Sequence, residues 1–83
     1  MLPTQSQSAG AFARLDLDRV PSPCFVVDLA RIKANLATLA EVRARSGAKV
    51  LSALKAFSMW RLADLISESL DGVCASGLWE ARL

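Results

Sequence analysis

The stretch from Ala48 to Leu54, "AKVLSAL", followed at once by Lys55, decides how this chain folds. It is short and nearly all apolar, with no polar alternation, and it follows directly on a helix-forming run that stops at Gly47. A segment of that kind reads as a strand buried on both faces, and such strands belong to parallel sheets covered by helices. In parallel α/β folds the chemistry sits at the C-terminal ends of the strands. Lys55 stands at that end.

The flanking segments carry the same alternation outward. Upstream, Leu29, Ile32, Leu36, Leu39 and Val42 recur at spacings of three and four. Arg31, Lys33, Asn35, Glu41, Arg43 and Arg45 fall mostly elsewhere on the wheel. Asp28 is a good N-cap for this helix, basic residues gather in its last turn, and Gly47 supplies the stop. Downstream, Ser58 can cap a helix whose apolar stripe runs through Trp60, Leu62, Ala63, Leu65, Ile66 and Leu70 and ends near "LDG". "VCAS" then makes another short buried strand, and "GLWEARL" begins a third helix. Before all of these, Cys24-Phe25-Val26-Val27-Asp28 has the β-branched and aromatic content of a strand, introduced by the two prolines of "VPSPC". Residues 1–18 form an N-terminal tail, largely disordered, with at most a turn or so of helix in "AFARLDLDRV". Residues 19–83 form the folded portion. Strand and helix alternate, which points to βαβ units and a parallel sheet. The last unit is unfinished, so the reading is an α/β fold that is the N-terminal part of a longer chain.

Composition narrows the function. Of 83 residues, 53% are hydrophobic and 22% charged, a globular balance, yet a chain of this size buries only about 60% of its unfolded surface. Ten basic and eight acidic residues give a net charge of +2 without any block of like charge. This argues against nucleic acid or an anionic membrane as a partner. With no histidine, a Ser-His-Asp triad, a Cys-His pair and histidine metal ligation are excluded, and no metal site is expected. Cys24 and Cys74 lack any CxxC spacing and read as reduced, buried small hydrophobes of a cytoplasmic protein. No apolar run approaches the ~20 residues of a membrane span, and the start "MLPTQSQSAG" lacks the pattern of a signal peptide.

The residue pattern leaves two roles open for Lys55. One is a surface lysine marking a strand end, its stem packed and its head in water. The other is chemical: an amine held in a partly apolar cleft loses solvation of its charged form, which favours the free amine as a nucleophile for Schiff-base chemistry.

Two elements tip the balance. The entry segment "VPSPCFVVD", and the run "VLSALKAF" followed by "DGVCASGLWEARL", together resemble the N-terminal part of carboxynorspermidine decarboxylases. These belong to the alanine-racemase-like, fold-type III class of pyridoxal phosphate enzymes. The likeness covers about residues 16 to 83. It implies a (β/α)8 barrel preceded by a strand, near Phe25 to Val27, that belongs to a C-terminal β domain. It also implies that Lys55 forms the internal aldimine with pyridoxal 5'-phosphate, and so is both catalytic and cofactor-binding. The implied substrate is a small-molecule polyamine precursor, carboxynorspermidine or carboxyspermidine, decarboxylated to norspermidine or spermidine. The full-length protein would be a homodimer. No glycine-rich phosphate loop occurs in these residues, so the segment alone is expected to be inactive.

Ser76 and Glu80 fall at the next strand–helix connection, where members of the family often have Ser at the position of Gly77. Glycine cannot complete a capping box there, so Glu80 reads as an ordinary first-turn acid. Ser52 and Ser58 read as packing or capping residues, and Trp60 and Trp79 as core. Alternatives within the class are a diaminopimelate, ornithine or arginine decarboxylase, or a racemase. An alternative of another kind is a non-catalytic pyridoxal phosphate carrier or a partner-dependent binding fragment.

Overall fold

A computed structural model describes residues 12–83. Of the expected tail over residues 1–18, residues 1–11 lie outside the described residues. Residues 12–18 hold a turn closed by Leu15 N–H donating to the Phe12 carbonyl at 3.1 Å, and the start of a 3-10 turn, Leu17–Arg19, capped by the Asp16 carboxylate.

The first long element is helix α1, Leu29–Ser46, with the ends that its sequence dictates. Asp28 Oδ1 accepts the N–H groups of Ala30 at 3.0 Å and Arg31 at 3.3 Å, satisfying two donors that the first turn leaves free. At the other end Gly47 adopts φ 70°, the left-handed conformation that costs glycine least, and its N–H returns to the Arg43 carbonyl. The chain then enters strand β1, Leu51–Ala53, passes through a 3-10 turn, Trp60–Leu62, into helix α2, Ala63–Ser69, and returns in strand β2, Gly72–Cys74. A short helix α3, Leu78–Ala81, follows.

β1 and β2 run parallel, pairing Leu51 with Gly72, Ser52 with Val73 and Ala53 with Cys74. Parallel pairing through an intervening helix is the βαβ unit that the alternation of elements predicts. Among the described residues, Leu36 on α1 and Leu70 after α2 are the buried hydrophobic ones, each 7% exposed, and the two helices pack against each other.

Several expectations need correction. Residues 24–28 form no strand among the described residues: a ladder needs a neighbour, and none here reaches them. The strand expected over 48–54 is shorter, and it is not buried on both faces, since Leu51 is 50% exposed and Val73 on its partner 59%. Two strands and one crossover helix are too little chain to cover both sides of a sheet. Trp60 and Trp79 are exposed rather than core, as are both free cysteines, Cys24 and Cys74. Ser58 does not cap the second helix; the chain enters it through the 3-10 turn from Met59, without a side-chain cap bond. None of the helices among the described residues is long and apolar enough to cross a membrane.

Candidate functional site

The two ends of the sheet differ in chemistry. At the N-terminal end lies a network centred on Asp71, the residue that leads into β2. Its backbone N–H donates to the Val50 carbonyl at 2.9 Å, while its carboxylate Oδ2 accepts the Val50 N–H at 2.9 Å. Oδ1 meets Arg43 Nη2, from the last turn of α1, at 2.8 Å, and Lys49 Nζ at 3.7 Å. The side chain is only 10% exposed. The Val50 N–H does most to hold the Asp71 carboxyl below its ordinary value of 3.8; removal from water acts in the opposite direction, and Arg43 and then Lys49 reinforce the lowering. One carboxylate thus ties the end of α1, the entry to β1 and the entry to β2. This is anchoring chemistry, at the end of the sheet where parallel α/β folds keep their stabilising contacts.

Lys55 belongs to the opposite end. The ladder extends one bond past β1, Leu54 N–H donating to the Cys74 carbonyl at 3.1 Å, and the chain then turns, with the N–H groups of Ala56 and Phe57 both donating to the Ala53 carbonyl at 3.0 and 3.1 Å. Lys55 is carried on that turn and is exposed. From its chain neighbour Ala56 onward opens a groove of about 470 Å³, lined by Phe25, Val26 and Val27 from one side and Ala56, Phe57, Ser58 and Met59 from the other. Its volume falls in the general range of small-molecule sites, and its lining is mostly apolar, as such sites are. The fold therefore brings together the two segments "CFVVD" and "ALKAF" that are separate in sequence, on the side of the sheet where the amine emerges.

The loop after β2 lies at the same end. Ser76 N–H donates to Glu80 Oε1 at 3.0 Å, so the half-buried Glu80 is more than the first-turn acid expected of it. It reaches back across the N-terminus of α3, whose cap position, Gly77, offers no side chain. Ser52 is half-buried within β1, and Ser58 lines the groove. Among the described residues, no group of three or more His, Cys, Asp or Glu side chains could hold a metal ion.

Sequence reasoning missed two of these features. Asp71 was read only as part of a helix-ending "LDG", although an acid leading into a strand, downstream of a helix that ends in arginines, was a signal that could have been followed. Glu80 has no capping partner at Gly77, and its carboxylate reaches instead the N–H of Ser76, one residue further back.

No family model and no solved structure matches the chain. Curated proteins do. The chain is 41% identical over 64 residues to a carboxynorspermidine/carboxyspermidine decarboxylase of Herminiimonas arsenicoxydans, covering 77% of this chain and 18% of that one. It is 37% identical over 65 residues to a protein of the same name from Campylobacter jejuni subsp. jejuni, covering 78% and 17%. It is also 37% identical over 67 residues to a carboxyaminopropylagmatine decarboxylase of Synechocystis sp., covering 81% and 17%. The resemblance read from the sequence motifs is therefore real and spans most of this chain, which in turn spans less than a fifth of the length of these relatives.

Proposed function

We propose that this chain is the N-terminal part of a pyridoxal phosphate-dependent decarboxylase of polyamine biosynthesis, acting on carboxynorspermidine or carboxyspermidine, with Lys55 as the residue that carries the cofactor. The observation that supports it best is the position of Lys55: a primary amine exposed on the turn after β1, whose next residue, Ala56, lines an open, largely apolar groove of about 470 Å³. A donor set of that chemistry fits an aldehyde cofactor, because a primary amine adds to a carbonyl carbon. Phe25, Val26, Val27, Phe57 and Met59 would exclude water from one side of the reacting atoms. Bound pyridoxal phosphate supplies the electron sink for the electron pair left when a carboxylate departs as carbon dioxide. Lys55 Nζ would hold the cofactor and would also be the base and acid at hand for delivering a proton to the carbon that loses its carboxylate.

The reading includes a (β/α)8 barrel, of which the β1–α2–β2 unit is a part. It also includes a C-terminal β domain that receives the segment at 24–28, a cytoplasmic location and a homodimeric full-length protein. The segment of residues 1–83 by itself does not turn over substrate in this reading. A second substrate is favoured by a specific likeness, that to the carboxyaminopropylagmatine decarboxylase.

The test is a panel. The complete protein containing this segment is purified with pyridoxal phosphate, and carbon dioxide release is measured with carboxynorspermidine, carboxyspermidine and carboxyaminopropylagmatine. Release from either of the first two, abolished by Lys55→Ala, supports the proposal; release from carboxyaminopropylagmatine alone moves the substrate to the second reading. A Lys55→Ala protein that turns over as well as wild type would sink it.

A further inference from the structure

The loop of residues 75–77 stands beside the turn that carries Lys55. The last ladder bond, from Leu54 N–H to the Cys74 carbonyl at 3.1 Å, joins the two ends directly, so whatever sets the course of the chain after Cys74 also sets one wall next to the lysine. Residues 75–77 are exposed, and the cap residue of α3, Gly77, makes no side-chain cap bond. What holds the loop is the Glu80 carboxylate, which accepts the Ser76 N–H at 3.0 Å, together with the helical bond from Ala81 N–H to the Gly77 carbonyl. A hydrogen bond to an ionised acceptor is about twice as strong as a neutral one.

We infer that Glu80 is a positioning residue for the cofactor site: its carboxylate, in the first turn of α3, fixes the Ser76–Gly77 turn at the end of the sheet from which Lys55 emerges. This rests on the reading of Lys55 as the cofactor lysine. Glu80 acts through the backbone of Ser76 and does not itself take part in the chemistry. Its oxygen is the requirement, so glutamine, which keeps an accepting oxygen at the same reach, substitutes for it and alanine does not.

The experiment uses the complete protein that contains this segment and compares Glu80→Ala, Glu80→Gln and the double variant Gly77→Ser/Glu80→Ala. Two quantities are read: the melting temperature, and the pyridoxal phosphate concentration needed for half-maximal activity. Glu80→Ala should raise that concentration roughly tenfold, the loss expected for one charge-assisted hydrogen bond at a partly exposed position, and Glu80→Gln should stay within about threefold of wild type. The double variant separates loop from helix. No atom lies within 4 Å of the position a side-chain carbon at residue 77 would take, so serine fits and can cap α3 without replacing the bond to Ser76. It should recover the melting temperature and leave the cofactor requirement raised. Recovery of both, or an unchanged cofactor requirement in Glu80→Ala, would overturn the inference by showing that Glu80 only steadies a helix. If Lys55→Ala in the same protein keeps full turnover, the premise fails and the inference falls with it, an outcome told apart by that variant alone.

Discussion

Leu36 is where the packing account is most exposed to refutation. It is 7% exposed on α1, and with Leu70 it is one of the two buried hydrophobic residues among those described, in a fold where α1 packs against α2. Replacing it with alanine removes three buried carbons, worth about 0.8 kcal/mol each in transfer free energy, or about 2.4 kcal/mol. A cavity that closes only in part brings the cost to about 3 kcal/mol, within the range measured for buried leucines. For 83 residues a total stability of roughly 4–12 kcal/mol is typical, so one side chain would remove a large fraction of it. Leu29, 44% exposed in the first turn of the same helix, is the control: the same substitution there should cost well under about 1 kcal/mol. Urea titrations followed at 222 nm, with equal slopes in wild type and variants, give both numbers. A Leu36→Ala cost below about 1 kcal/mol, or one equal to that of Leu29→Ala, would refute the assignment of Leu36 to the core.

Two further outcomes follow from the polar contacts. Asp28→Ala should destabilise by about 1 kcal/mol through loss of the α1 cap, while Asp28→Asn, which keeps the accepting oxygen, should cost a few tenths; equal losses in urea melts would remove the cap from the account. The folded-state value of Asp71 is depressed below 3.8, so its contribution is fully present above 3.8 and is lost as pH falls through the lower folded value. Acid titration of the midpoint should therefore show a fall below pH 3.8 that Asp71→Asn lessens, and an identical acid limb in the variant would contradict the network described.

What the sequence made legible follows the range of the forces involved. α1 was readable to the residue because its cap at Asp28, its three–four periodicity and its glycine stop are all local. The parallel β1–α2–β2 order was readable because a buried apolar run between helical patterns has few other solutions. Where a partner far along the chain decides, the reading failed. Residues 24–28 have strand composition and pair with no strand among the described residues, and Trp60 and Trp79 have core composition but stay exposed, Trp79 with the Arg82 guanidinium 5.2 Å from its ring centre. Asp71 owes its role to Val50, 21 positions away, and to Arg43 beyond it, a closure that no local pattern announces. Ser58 lost the capping role because the chain enters α2 through a 3-10 turn from Met59. Lys55 was placed at the end of β1 by its position after the apolar run, and the structure has it there; its groove, which needs Phe25 to Val27 to fold back beside Phe57, was not foreseen.

The central claim is that Lys55 carries the cofactor, and one measurement addresses it directly. The complete protein containing this segment is loaded with pyridoxal phosphate, reduced with borohydride, digested, and its peptides are mapped by mass spectrometry. The account predicts a single pyridoxyl group on Lys55 at near-stoichiometric yield, absent from Lys55→Ala. Stoichiometric labelling of Lys33 or Lys49 with Lys55 unmodified would contradict it.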